Sequence, residues 1–412
     1  MAARPDILIV GAGVVGAALA YELARRGQRV LVVDRAEEPG LGASRWSLGG
    51  TSWLGAAMDP RLRALCREGL ERHQEMSAEL GAPSGFHPRP TLVLAPTDET
   101  LAGLVPLLEN GLAHGFGGRI VEREELARLE PTLTPGAAVG AVRCDLGWLD
   151  TVRATRAWIE GALGHGAEFR SGVEVQALRP QGSAPVVETA AGPIEAGQVV
   201  LAAGAWLGRL LRGSGIAAPL VHTHAEVLES EPLPPTFQHL IASANQSRAV
   251  LEAEIARPAN AARLQAEAGG EEMAPVSVEL GVVQRGDGRV RLGQLSRAVA
   301  GILDGPRPDG EALIRAEVAL YFPDLARQPV RHHSRPVSFS PDKLPVAGPI
   351  AAAPGFWLVS ALNSPLIYLP ALAARMTGAL KGERVPELDA FALERFPAPA
   401  PPRPLAGEGA GG

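Results

Sequence analysis

The segment that most constrains the fold of this chain is residues 7–34. Ile7-Leu-Ile-Val10 is an apolar run that breaks into Gly11-Ala-Gly13-Val-Val-Gly16, and Leu31-Val-Val-Asp34 ends a second apolar run on an acid. The order predicts a strand, a tight glycine turn, a helix over Ala17–Arg26 and a second strand over Val30–Val33. Each residue type has a physical task in such a unit. Gly11 permits the turn, Gly13 lets a pyrophosphate approach the backbone, and Gly16 lets helix and strand pack closely. The N–H groups at the helix start attract phosphate. Asp34, 18 residues past Gly16, offers a carboxylate to a ribose hydroxyl. A lone G-x-G-x-x-G says little, but in this context it implies a βαβ unit that binds a dinucleotide, without saying which one.

The chain has 412 residues, enough to bury a large core as two interleaved domains. Its net charge of −6 argues against nucleic acid or an anionic membrane as partner. Cys66 and Cys144 form no C-x-x-C pair, so neither a disulfide framework nor a metal cluster is indicated. The Ile7–Ala20 run has the length of a signal-peptide core, but Arg4 and Asp6 cancel in front of it and its glycines sit at fingerprint positions. No other run is long enough to span a bilayer, so a cytoplasmic location is expected.

Further along, helices are expected over Pro60–Leu80, Glu99–His114, Arg123–Leu129, Thr151–His165 (with Asp150 as N-cap), Glu311–Tyr321 and Pro370–Leu380. Strands are expected at Thr91–Leu94, Ala138–Arg143, Gly172–Leu178, Val186–Thr189, Gln198–Ala203, Val221–Leu228 and Phe356–Val359. Leu280–Gln284 and Arg289–Leu292 read as a hairpin across Gly286-Asp-Gly288. Elements of nucleotide-binding type occur at the start, middle and end, with strand-rich segments between. This predicts a discontinuous nucleotide domain from residues 1–82, 146–220 and 326–396, a second domain from 83–145 and 221–325, and a disordered Pro/Ala/Gly tail from 397 to 412. Ligand pockets favour such seams.

Several segments together resemble the D-amino-acid-oxidase-like superfamily of FAD-dependent amine oxidoreductases, which includes glycine oxidase, sarcosine and dimethylglycine dehydrogenases and opine oxidase subunits. Besides the opening fingerprint, Gly42-Ala-Ser-Arg-Trp-Ser-Leu-Gly-Gly50 resembles the family's small-residue loop beside the pyrophosphate and flavin, and Val199-Val-Leu-Ala-Ala-Gly-Ala-Trp206 resembles its strand that closes on FAD. Gly172-Val173 is similar to the strand that meets the adenine. Ser338-Phe-Ser-Pro-Asp-Lys-Leu-Pro-Val-Ala-Gly-Pro349 and Ala361-Leu-Asn-Ser-Pro-Leu-Ile367 resemble segments of the dimethylglycine dehydrogenase branch, covering about residues 5 to 395 in all. The resemblance implies an α/β fold: a Rossmann-like, glutathione-reductase-like FAD domain interleaved with a smaller α+β substrate domain on an antiparallel sheet.

The resemblance further implies FAD contacts from Gly11, Gly13, Gly16, Asp34, Arg35, Gly42, Ala43, Ser44, Arg45, Trp46, Ser47, Gly49, Gly50, Val173, Ala203, Gly204, Trp206, Asn363 and Ile367. By spacing, Trp46 stands where the branch often has a His that attaches FAD covalently, and no Cys follows Cys144, so non-covalent FAD is expected. Ala361, Pro365 and Leu366 replace small or glycine residues beside the flavin. The implied activity is dehydrogenation of an amine C–N bond by hydride transfer to flavin N5, on glycine- or sarcosine-like amines, D-amino acids or opines. Arg335 is the candidate anchor for a substrate carboxylate, Arg331 its alternative, and the backbone from Asn363 to Ile367 a candidate donor to the reduced flavin. An FAD-binding subunit of a heteromeric complex, weakly active or silent alone, is a second reading. An NAD-linked dehydrogenase is a third, opposed by Ala202-Ala-Gly-Ala-Trp206. Oxygen or a partner electron carrier is the expected acceptor.

Other residues invite blander readings. His332 and His333 are adjacent and face opposite sides of a strand, and His222 and His224 share a face but lack a third ligand, so no metal is expected. Trp53, Trp148 and Tyr368 read as core. Arg248–Glu272 is charged, and reads as a solvated helix or loop, a lid, or a docking surface.

Overall fold

The computed structural model describes residues 4–51, 53–56, 58–180, 184–245, 247–265, 270–362 and 364–396. The expected tail, 397–412, and Asn363 lie outside the described residues.

The opening motif folds into the centre of a six-stranded sheet ordered Val346–Pro349, Phe356–Ser360, Gln198–Leu201, Ile7–Val10, Val30–Val33, Glu168–Arg170. Neighbours run parallel except the first two, which form an antiparallel pair. Parallel strands are buried on both faces, which is why they read as unbroken apolar runs. Ile7 and Ile9 pack toward Leu19, Trp158 and Leu372 of the helices Val14–Ala24, Thr151–Gly164 and Leu369–Leu380. Leu8 and Val10 join Leu207 and Leu211 of the helix Leu207–Gly213, with Leu178 and Val187 of a three-stranded antiparallel sheet. Each such side chain contributes about 1.5–3 kcal/mol when fully buried.

Local chemistry moves several expected boundaries. The first helix begins at Val14 rather than Ala17, because Gly13 already has the extended N-cap conformation. The strand expected over Gln198–Ala203 ends at Leu201, where the chain turns into a short 3-10 helix over Gly204–Trp206. The strand expected from Gly172 begins at Val175, and Val173 N–H instead donates to Asp34 O at 2.8 Å. Asp150 caps the helix Thr151–Gly164 by accepting from Val152 and Arg153 N–H.

The second large sheet runs Val330–Phe339, Val221–Ser230, Val290–Arg297, Gly281–Gln284, Leu240–Ser243, Thr91–Ala95, Gly140–Asp145, Gly117–Glu122, with Ser277–Val278 pairing onto Val290–Arg297. It is mixed rather than purely antiparallel, because Leu240–Ser243 lies parallel to Thr91–Ala95. Val330–Phe339 pairs along its whole length with Val221–Ser230. One face of this sheet buries Leu228, Leu292 and Leu295 against Ile314 and Val318 of the helix Gly310–Tyr321. Fully buried Glu226 lies on that side, paired with Arg297 at 2.8 Å and His332 at 2.9 Å. Successive strand residues face opposite ways, so Ala225, beside Glu226, points to the other side.

The charged 248–272 stretch forms two helices, Ser247–Ile255 and Pro258–Gln265, up to the undescribed residues. Leu251, Ile255 and Leu264 pack on Val221 and Phe339, so the stretch is anchored to the sheet. Trp53, Trp148 and Tyr368 are buried. Cys66 and Cys144 are buried free thiols, each pushed up to about 12 by burial. Among the described residues no helix is long and apolar enough to cross a membrane, and no group of three His, Cys, Asp or Glu side chains could hold a metal.

Candidate functional site

A cavity of about 1100 Å³ extends from the glycine turn to the free face of the second sheet. At its first end two glycines, Gly11 and Gly16, leave no room for a side chain. A Cβ on Gly11 would lie 2.5 Å from Ala202 O, and one on Gly16 would lie 1.9 Å from Gly11 O. Gly16 is therefore a packing residue and does not line the cavity, whereas Gly11 and Gly13 do. A Cβ on Gly13 would meet only Ser44 Oγ, at 3.3 Å. Val14 N–H, at the helix start, donates to that hydroxyl at 3.0 Å. A hydroxyl oxygen thus sits on one of the donors that suit a phosphate, and the backbone around Gly13 remains open to the cavity.

Asp34 lines the same end and has a second task. Its carboxylate accepts from Ala12 N–H at 2.6 Å and from Ala36 N–H at 2.8 Å, clamping the glycine turn to the end of the second strand. A carboxylate has about four lone-pair sites, so a ribose hydroxyl can still be accepted. The Arg35 guanidinium lies 3.9 Å from the centre of the Trp206 ring, and both residues line the cavity with Val173, Ala203 and Gly204.

The middle of the cavity is walled by Gly42, Ala43, Ser44, Trp46, Ser47, Gly49 and Gly50. Gly49 has φ +80°, and a Cβ there would lie 2.3 Å from Leu149 O, so only glycine fits. Thr151 Oγ1 donates to Ser44 O at 2.5 Å, and Trp148 Nε1 to Leu48 O at 2.9 Å. Trp46 stacks on His333 with ring centres 3.5 Å apart. Burial holds His333 down at about 4, so it is neutral at pH 7. Arg291, nearly buried, lies 5.4 Å from the Trp46 ring, donates to Ser47 O at 2.7 Å and pairs with Glu229 at 2.9 Å.

At the far end the wall is the second sheet. Arg335 lies directly opposite Ala225, and both line the cavity. Arg335 donates to its neighbour Ser334 O at 2.7 Å, and no carboxylate among the described residues pairs with it. Arg331 is exposed, pairs with Glu231 at 3.6 Å and does not line the cavity, which removes it as the alternative anchor. Two cofactor candidates also lie off the cavity. Ile367 is fully buried, and its carbonyl abuts Gly69. Arg45 is directed to Trp46, 5.4 Å from the ring centre. Ala361 and Ser364 have φ of 55° and 46°, and they line the cavity beside Pro365 and Leu366.

Sequence reasoning missed Gln294, Arg248 and Asp304 as lining residues and Arg291 as the anchor of Ser47. Only Arg248 carried a signal, as part of a charged segment. The others depend on which face of a strand or loop meets the cavity.

Residues 6–380 match the family described as "DAO: FAD dependent oxidoreductase". Glycine oxidase of Pseudomonas aeruginosa is 27% identical over 397 residues, covering 93% of this chain and 96% of that protein. Mitochondrial dimethylglycine dehydrogenase of Rattus norvegicus is 26% identical over 233 residues, 56% of this chain but 27% of that much longer protein. This chain thus spans only about a quarter of that relative. The crystal structure of glycine oxidase from Geobacillus kaustophilus aligns with a TM-score of 0.79 at 22% identity over 96% of this chain and 100% of that one, which shows the shared fold. The chain belongs to the DAO family of FAD-dependent oxidoreductases.

Proposed function

We propose that this protein dehydrogenates the C–N bond of an amino acid or secondary amine. The observation that carries the reading is a single cavity joining the glycine turn to Arg335, an arginine without a carboxylate partner among the described residues. The turn and the loop fit FAD: the backbone at Gly13 and the Ser44 hydroxyl would hold the pyrophosphate, Asp34 the ribose, and Val173, Ala203 and Trp206 the adenosine surroundings. Neither expected attachment residue is present, so the cofactor is held non-covalently.

Bound FAD supplies the acceptor, at N5, for a hydride leaving the carbon that bears nitrogen. The protein's work is orientation and charge. Arg335 offers a planar fork to the substrate carboxylate, each charge-assisted bond contributing about 1.5–3 kcal/mol. A guanidinium near the substrate also disfavours the ammonium form, and only the neutral amine can release a hydride from its neighbouring carbon. Water then converts the imine to a carbonyl compound and an amine. Oxygen or a partner carrier would be the final electron acceptor.

Ala361 and Ser364, in left-handed conformations beside cavity-lining Pro365 and Leu366, favour a second reading: a cofactor-holding subunit whose chemistry needs a partner chain. Anaerobic mixing with glycine, sarcosine, D-amino acids and N-carboxyalkyl amino acids separates the two. Bleaching of the flavin spectrum by one of them supports the enzyme reading. No bleaching by any of them supports the subunit reading. Arg335→Lys keeps the charge but loses the fork, and it should weaken carboxylate substrates about tenfold or more while FAD content stays unchanged. An equal loss with an uncharged amine would remove Arg335 as anchor.

A further inference from the structure

Resting on that reading, we propose that the substrate carries two carboxylates, Arg335 taking one and Arg248 the other. Both arginines line the cavity. They stand at opposite ends of one row across the second sheet. Arg335 pairs with Ala225, Ala225 with Ser296, and Ser296 with Ser277. Ser277 Oγ is 2.7 Å from the hydroxyl of Ser247, the residue before Arg248. Directly paired strand residues share a face. Three strand spacings of about 4.8 Å put roughly 14 Å of Cα row between Arg335 and Ser277. Both arginines border the cavity that this row walls.

The floor between them is small and polar. Ala225 offers only a methyl, and Gln294, which lines the cavity, donates to Ser296 Oγ at 2.9 Å. Each guanidinium retains donors for a ligand. Arg248 Nε donates to buried Glu252 at 2.7 Å, and its backbone N–H to Glu279 at 2.9 Å, which fixes the stem. The terminal amino groups of Arg248 have no hydrogen-bond acceptor among the described residues. On Arg335 one of the three guanidinium nitrogens is used among the described residues, by Ser334 O. Asp304 is the carboxylate lining this end, a counterpart for a substrate nitrogen. Two cation forks and an acid lining one cavity match an amino acid with a second carboxylate, attached through its nitrogen or its side chain. A simple monocarboxylate leaves the free donors of one guanidinium unused.

The test is calorimetric titration of the FAD-loaded protein with unreactive acids: malonate, succinate and glutarate against acetate and propionate. The expected result is one diacid binding about tenfold or more tighter than either monoacid, and loss of that preference in Arg248→Gln. Arg248→Lys, which keeps a cation near Glu252 but loses the fork, is the second variant and should also lose the preference. Monoacids binding within about threefold of every diacid, or a preference unchanged in both variants, would overturn the proposal. Anaerobic flavin reduction distinguishes its failure from that of the underlying reading. Reduction by glycine or sarcosine but by no diacid overturns the two-carboxylate proposal and leaves C–N oxidation standing. Reduction by iminodiacetate places the second carboxylate on nitrogen, and reduction by glutamate places it on the side chain; both support the proposal. Tight diacid binding without reduction by any amine retains the diacid site and overturns the oxidation.

Discussion

Replacing Asp34 by alanine tests whether this carboxylate is only a ligand contact or also part of the turn. The carboxylate accepts from two backbone N–H groups, Ala12 at 2.6 Å and Ala36 at 2.8 Å. Ala36 is half-buried, so water can replace the lost bond there at small cost. Ala12 is fully buried, and its N–H would be left without an acceptor. An unsatisfied buried donor costs about 1–3 kcal/mol. Because the clamp is made wholly within the chain, that cost falls on the apoprotein as well. At about 2–4 °C per kcal/mol for a mid-sized domain, the apoprotein should melt several degrees lower. Loosening the turn should also weaken FAD by about 5- to 150-fold, beyond any lost ribose contact. The assay is thermal melting of FAD-stripped wild type and Asp34→Ala, followed by FAD titration of both. Equal apoprotein melting temperatures with weakened FAD would refute the clamp and leave only the ribose role.

Three further outcomes are expected. Acid precipitation should release yellow flavin into the supernatant, and flavin retained on the denatured chain would show a covalent link. Burial holds His73 at about 4 and His224 at about 3, against about 6.5 in an unfolded chain. The unfolded state then binds more protons from about pH 6.5 down to about pH 4, so stability falls as pH falls through that window. His73→Gln, whose amide can still donate to Leu366 O as the ring does at 2.5 Å, should flatten the slope of melting temperature against pH, and an unchanged slope would clear His73. Ser364→Gly relieves a left-handed residue at φ 46°. The relief of about 1–2 kcal/mol exceeds glycine's entropic cost of about 0.5–1 kcal/mol, so a lower melting temperature would contradict the strain.

The first βαβ unit was legible because its information is local. Strand spans at Ile7–Val10 and Val30–Val33 follow from apolar runs, and Gly11 and Gly16 answer contacts made with the end of the adjoining strand and within the unit. The helix Pro60–Leu80, with Asp59 at its N-cap and Gly81 in a left-handed C-cap, was legible for the same reason. The loop glycines and Ser44 were found by pattern, but their reasons are tertiary: Gly49 answers Leu149 O, and Ser44 answers Val14 N–H. Strand pairing decided the rest. Ten-residue registry with Val221–Ser230 makes Val330–Phe339 an edge strand of the second sheet. That registry puts Arg335 in the cavity and leaves Arg331, four residues earlier on the same face, paired with Glu231 outside it. Period-two alternation tells which residues share a face, but not how far along the strand a cavity extends. That limit is set by where the two sheets meet, which no local pattern encodes.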